Sequence, residues 1–266
     1  MSLTVRILGC GSSGGVPRLG GGWGLCDPHN PKNARRRCSI YLQHKAPGHE
    51  GMTQVLVDTS PDMRVQLLEA NVSRLDAILL SHSHADHIHG MDDVRALVIH
   101  NRNRMDAYMD ADTSAVIQRG FGYIFKTPPG SLYPSLLNEK RMVAGEAFAV
   151  DGPGGPLEVL PFRLNHGEID ALGFRFGNFA YTPDVKFVPP ESLVHLEGLD
   201  VWVIDALRRH SHPSHFSLSD ALAHIEKWKP KRAILTNLHN DLDYESLCRE
   251  LPSHIVPAYD GMTFRV

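Results

Sequence analysis

Ser81-His82-Ser83-His84-Ala85-Asp86-His87-Ile88-His89-Gly90 sets four histidines and an aspartate into eight positions, directly after the apolar run Ala77-Ile78-Leu79-Leu80. An apolar run of that length reads as a buried strand, so the ligand-rich segment begins where a strand ends and the chain turns. Side chains repeat every two residues in extended backbone, which points His82 and His84 the same way. Asp86 and His87 follow where the chain can bend into a helix and face the same spot from another side. Imidazole together with carboxylate suits zinc, manganese or iron rather than calcium. The set is richer than one tetrahedral ion requires, which points to two metals.

The chain around this segment has an ordinary globular composition: 266 residues, 42% hydrophobic, 21% charged, with a formal net charge of −3. That charge offers no global argument for binding nucleic acid or a membrane surface. Four cysteines, Cys10, Cys26, Cys38 and Cys248, are widely spaced and too few for a disulfide framework. No charged segment followed by an apolar one opens the sequence, and no apolar run is long enough to span a bilayer, so the expected location is cytoplasmic.

Leu3–Leu8 is expected as a first strand, running into the loop Gly9-Cys10-Gly11-Ser12-Ser13-Gly14-Gly15-Val16-Pro17. This loop lacks a Walker lysine and a G-x-G-x-x-G that opens a helix. It therefore reads as a turn, or as backbone that comes close to a metal centre. Cys26 and His29 have the C-x-x-H spacing of half a structural zinc site, and Arg35-Arg36-Arg37 reads as a solvated face that could also attract a phosphate. Strands are expected at Ser39–His44, Gln54–Asp58, Ala77–Leu80, Leu157–Leu164, Leu172–Tyr181, Val201–Asp205, Ala233–Thr236 and Thr263–Val266. Helices are expected from Ser60-Pro61 to about Ala70, and at Met91–Ile99 with Ala96, Leu97 and Ile99 buried. Further helices are expected at Thr113–Phe125, Leu218–Trp228 and Tyr244–Leu251. Residues 126–145 read as a lid or loop insertion within one domain covering 1–266. The alternation of strands and helices implies an α/β fold, two sheets packed inside helices.

Three more polar residues end predicted strands: His166 after Leu157–Leu164, Asp184 after Phe179–Thr182, and His239 after Ile234–Thr236. The carboxyl ends of strands are where open α/β sheets place their chemistry. The order H-x-H-x-D-H, His166, Asp184 and a late histidine resembles the metallo-β-lactamase superfamily along nearly the whole chain. Within it, the Gly11–Pro17 loop, Arg37-Cys38-Ser39, and Asp205 followed by His210-Ser211-His212-Pro213-Ser214-His215-Phe216 are most similar to one branch. That branch holds the phosphonate-operon cyclic-phosphate phosphodiesterase and the tRNA 3′-processing endonucleases.

The resemblance implies a four-layer αββα sandwich of two mixed sheets and two divalent ions, zinc or manganese. It implies that His82, His84 and His166 hold one ion, that Asp86, His87 and His239 hold the other, and that Asp184 bridges them. A bridging aspartate separates the chain from true β-lactamases, and the intact H-x-H-x-D-H from flavo-diiron enzymes. The late ligand of the family directly follows a Leu-Thr pair, but here Asn237 stands there and the histidine is His239. The resemblance further implies His215 as general acid, with His210 and His212 as rivals, and Asp86 as a group that orients the attacking water. Arg208, Arg209 and His212 are candidates for contact with substrate phosphate.

The expected activity is therefore a dinuclear phosphodiesterase acting on a small nucleotide-like or cyclic phosphate ester. The alternatives are an RNA-processing nuclease, a thioester or lactone hydrolase, and a non-catalytic metal-binding accessory protein. The slight negative charge and the lack of a long basic arm count against structured RNA. No membrane partner is expected, and a homodimer is compatible with the chain.

Overall fold

The apolar runs separate into two sheets whose strands bury both faces. The protein is described over residues 2–266 by a computed structural model. Six strands come first: β1 (Ser2–Gly9), β2 (Ser39–Lys45), β3 (Thr53–Val57), β4 (Ala77–Leu79), β5 (Met105–Met109) and β6 (Leu137–Arg141). Seven follow: β7 (Phe148–Val150), β8 (Leu157–His166), β9 (Ile169–Phe176), β10 (Phe179–Thr182), β11 (Val201–Asp205), β12 (Arg232–Thr236) and β13 (Ile255–Pro257). The chain then returns to the first sheet with β14 (Thr263–Arg265). The orders are β14-β1-β2-β3-β4-β5-β6 and β13-β12-β11-β10-β9-β8-β7. Both sheets are mixed, with β3, β4, β5 and β6 parallel in one and β10, β11, β12 and β13 parallel in the other.

Alternation along each strand builds the four layers. Val55 and Val57 of β3 face the core between the sheets, where they join Ile7, Leu42, Leu79, Phe174, Tyr181, Val203 and Ile234. Leu56 points the other way, with Ile78 and Tyr41, onto α1 (Met63–Glu69), α3 (Val94–Asn101) and α4 (Ala111–Phe121). On the second sheet Trp202, Ile204 and Leu235 turn outward against α5 (Leu218–Trp228) and α6 (Tyr244–Glu250). Each fully buried aliphatic or aromatic side chain contributes about 1.5–3 kcal/mol. The αββα sandwich is the fold expected from the sequence. No helix of the described residues is long and apolar enough to cross a membrane.

Several expectations needed correction. The stretch Leu172–Tyr181 is not one strand: Gly177, with φ +58, turns the chain so that β9 and β10 pair antiparallel. The first turn of the Met91–Ile99 helix is 3-10 at Met91–Asp93, and its buried residues are Met91, Val94 and Val98, while Ala96 and Ile99 are exposed. Positions 91, 94 and 98 form the inward stripe because packing against the sheet selects the helix face. Within the expected insertion, Leu137–Arg141 is the edge strand β6 paired with β5, with loop on either side of it. The strand β5 escaped the sequence reading although Met105, Ala107 and Met109 alternate inward. By contrast, α5 starts and stops where expected: a reciprocal Ser217–Asp220 capping box fixes its start, and Lys229, at φ +48, ends it.

Candidate metal centre and the cavity around it

Parallel strands in both sheets bring their carboxyl ends to one edge of the sandwich. There β4 delivers His82 and His84, α2 (Ala85–Ile88) delivers Asp86 and His87, β8 delivers His166, and the turn after β10 delivers Asp184. One ligand atom each from His82, His84, His166 and Asp184 lies within 4.8 Å of all the others. His166 Nε2 is 3.2 Å from His84 Nδ1 and 3.4 Å from Asp184 Oδ2, and His82 Nε2 is 3.8 Å from the same oxygen. Donors about 2.0–2.2 Å from a tetrahedral zinc ion sit roughly 3.4 Å apart, so this spacing accommodates such an ion.

The other carboxylate oxygen of Asp184 faces a second group. His87 Nε2 lies 3.2 Å from Asp184 Oδ1 and 3.6 Å from Asp86 Oδ2. The Nε2 atoms of both His82 and His87 are buried without a hydrogen-bond partner. Buried polar atoms are rarely left unpaired, and lone pairs aimed at carboxylate oxygens are what a cation would satisfy. The residues present therefore fit divalent metal.

A carboxylate behind the site sets the direction of those lone pairs. Asp58, fully buried after β3, accepts from Ser81 N at 2.8 Å, from Ser81 Oγ at 2.9 Å and from His87 Nδ1 at 2.8 Å. With its single proton on Asp58, the Ser81 hydroxyl must accept from His82 Nδ1, 3.0 Å away. His166 Nδ1 donates to Ser214 O at 2.6 Å. Three imidazoles are thus tied at Nδ1, with Nε2 aimed inward. Asp58 was missed in the sequence reading, although it ends the apolar run Val55-Leu56-Val57 as the recognised ligands end theirs. Burial and neighbouring histidines hold the His82 pKa well below its usual value. Burial also opposes protonation of His87, but Asp184 and Asp58 outweigh it and push that pKa up.

His215 approaches from the second sheet. Its Nδ1 donates to Asp205 Oδ2 at 2.9 Å, and its Nε2 stands 3.8 Å from Asp184 Oδ2. Burial lowers its pKa, but Asp205 and Asp184 more than compensate and push it up to about 9. His212 is driven the other way, to about 4, by burial and by the charges of His215 and Arg208.

The late ligand position departs from the expected set. Asn237, at φ +61, donates from Nδ2 to Asp184 Oδ1 at 3.1 Å and to Pro183 O at 3.2 Å. His239 is outside the four-residue group. Its backbone N donates to Leu207 O, and its ring meets Arg18 on one side and Asp241, at 3.5 Å, on the other. Arg209 does not reach the site: its guanidinium is clamped on Glu250 at 2.8 and 2.9 Å. Arg208 and His212 do line the cavity, and His210 does not.

The Cys26-x-x-His29 pair does not converge. His29 is exposed, whereas the Cys26 thiol is buried 3.8 Å from the Arg35 guanidinium, a cation where a zinc ion would need to be. Arg35 is itself buried and ties down the late loop by donating to His239 O and Leu242 O, so it is not part of a solvated face.

These groups open into one cavity of about 360 Å³, lined by Asp86, Asp184, His215, Arg18, Arg208 and Ser12 among others. A profile described as "Beta-lactamase superfamily domain" matches residues 53–237. A solved diphosphatase from the PhnP family is 34% identical, with a TM-score of 0.88, covering 100% of this chain and 98% of that one. Zinc-bound PqqB from Methylobacterium extorquens (17% identity, TM-score 0.74, 98% and 99% covered) and human tRNase Z, short form (16%, 0.65, 98% and 98%) share the fold. An octanoyltransferase of Porphyromonas gingivalis is 32% identical over 261 residues, 96% of this chain and 50% of the relative. The chain therefore spans about half the length of that curated relative. With the matched segment holding H-x-H-x-D-H, His166 and Asp184 in converging positions, the chain belongs to the beta-lactamase superfamily, in its PhnP-like branch.

Proposed function

We propose that the protein is a metal-dependent hydrolase of small phosphate diesters or diphosphates. The observation that carries this reading is the His215–Asp205 pair facing the His82, His84, His166 and Asp184 group across one polar cavity. Those four residues would hold one divalent ion, zinc or manganese by their donor types; Asp86, His87 and Asp184 would hold a second. Such ions, when bound, acidify water and polarise a phosphoryl oxygen.

The protein's own groups do the rest. Asp86, at the cavity wall, orients the attacking water. As the acidified water, having released one proton to solvent, forms the new P–O bond and the bond to the leaving group breaks, His215 Nε2 gives its proton to the departing oxygen. Asp205 anchors Nδ1, which keeps the acid on Nε2 facing the cavity. Asp205 and Asp184, working against burial, keep the imidazole protonated at neutral pH, the state a general acid needs. The cavity volume suits a small molecule better than a folded RNA.

The test is hydrolysis of aryl and alkyl phosphate diesters by protein loaded with Zn²⁺ or Mn²⁺, beside His84→Ala and His215→Ala. His84→Ala should abolish turnover. His215→Ala should lose roughly 10²–10⁴-fold on an alkyl leaving group and less on p-nitrophenolate, which leaves without a proton. Equal losses on both would remove His215 from the acid role. The octanoyltransferase relative, half of whose length this chain spans, is named for acyl transfer, and the second reading is hydrolysis of an acyl ester such as a thioester. A thiolate also leaves without a proton, so thioester turnover that survives in His215→Ala, with no diester turnover in the native protein, would support it.

A further inference from the structure

The metal ligands make only part of the cavity lining. The rest includes Ser12, Ser13 and Arg18 from the glycine-rich loop after β1 and Arg208 from the turn after β11. Ser12 is only 4% exposed, and its hydroxyl has no hydrogen-bond partner. Arg36, Arg37 and Arg209 nearby each meet a carboxylate, from Glu69, Asp62 and Glu250 respectively. Among the described residues, Arg18 and Arg208 meet none within ion-pair distance. They are two uncompensated cations facing one cavity, with an unpaired buried hydroxyl beside them.

Both are also held in place. The Arg18 backbone is bridged to Gly22, and its guanidinium donates to the His239 ring, which can accept only when neutral. His239 is fixed in turn through Leu207 O and Arg35. Leu238 N donates to Cys10 O at 2.8 Å, which ties the glycine-rich loop to this same turn. A Cβ on Gly14 would lie 2.7 Å from Arg18 Nε, so the bare backbone there is what lets the guanidinium lie against the loop. Arg208 is steadied by donating to Ser211 O at 2.7 Å and His210 O at 3.3 Å.

We propose that Ser12, Ser13, Arg18 and Arg208 form a second anion subsite, which seats a phosphoryl group adjacent to the one attacked, so that the substrate is a diphosphate. The proposal rests on the hydrolase reading above and deepens it. Two guanidiniums and two hydroxyls offer more donors than a two-oxygen carboxylate accepts, and they match a terminal phosphoryl with three acceptor oxygens. This also gives His239 a task other than metal ligation: it aims Arg18.

The experiment is calorimetric binding of α,β-methylene-ADP and of AMP to the zinc-loaded protein. The two probes share the nucleoside and differ by one phosphoryl, and neither requires turnover. The methylene diphosphate should bind roughly tenfold or more tightly than AMP, the worth of one charge-assisted hydrogen bond. That advantage should largely vanish in Arg18→Gln. It should shrink in Ser12→Ala, and in Gly14→Ala, where the side chain of Arg18 is displaced without loss of its charge. No advantage in the native protein, or an undiminished one in folded Arg18→Gln, would overturn the subsite. An Arg18-dependent advantage in a protein that turns over neither diesters nor diphosphates would uphold the subsite and remove the hydrolase reading.

Discussion

Replacing Asp58 by Asn tests whether the buried carboxylate fixes the metal-binding tautomers. Asn has the same shape and tolerates the left-handed backbone of this position, φ +64. Its oxygen can keep the bond from Ser81 N. Its amide group, however, would replace the oxygen that accepts from Ser81 Oγ at 2.9 Å and His87 Nδ1 at 2.8 Å, so donors would face donors. The imidazole can relieve this by moving its proton to Nε2 and accepting at Nδ1. That proton would then lie on the atom 3.2 Å from Asp184 Oδ1, where a ligand lone pair is needed. Loss of such a supporting carboxylate lowers metal affinity by roughly 10–100-fold, or about 1.4–2.7 kcal/mol. Competition with a chromophoric chelator reads the affinity, and ¹⁵N NMR of the histidine rings reads the tautomer directly. The fold should also lose about 1–3 kcal/mol, because a buried charge-assisted bond is broken. Metal binding by Asp58→Asn as tight as that of the native protein, with His87 still protonated on Nδ1, would refute this role for Asp58.

Other outcomes follow from the same structure. Gly90→Ala should destabilise by about 1–3 kcal/mol in thermal melts, because its Cβ would lie 2.1 Å from the Ser60 carbonyl and 2.8 Å from Met63 Cβ, at the base of the metal-binding turn; an unchanged melting temperature would count against this packing. Asp243→Ala should cost about 1 kcal/mol for the lost cap of α6, plus the tie from Asn33. Burial raises the Asp243 pKa, but the Ser246, Asn33 and Asp27 donors outweigh it and bring it to about 2. Its stabilisation is therefore complete above the ordinary carboxylate pKa of about 3.9 and disappears as pH falls through about 2. Denaturant curves of native and variant protein should converge in acid, and a difference that persists there would refute the assignment. Adding Zn²⁺ to about 100 times its Kd should stabilise the native fold by about 2.7 kcal/mol; no upward shift in His84→Ala at that concentration would assign the effect to this site.

Much of the architecture was legible from local pattern. An uninterrupted apolar run such as Ala77–Leu80 signals a strand buried on both faces, and ligands directly after such runs signal an edge of carboxyl ends. The start of α5 was equally local, because its capping box is a contact between residues three apart. What remained illegible was decided by partners distant in sequence. The buried face of α3 depends on where the sheet lies, and the break between β9 and β10 on a pairing that one glycine permits.

The site divides along the same line. The sequence by itself determined which side chains could ligate a metal, since the identity and spacing of His82, His84, Asp86 and His87 are local facts. Only the tertiary structure decided which way their lone pairs point, through Asp58 from another strand. It alone put Asn237 rather than His239 against Asp184, turned Arg209 onto Glu250, and brought Ser12, Arg18 and Arg208 into one cavity. Ligand chemistry belongs to a residue type, whereas the direction of a proton or a guanidinium is set by whatever the fold places next to it.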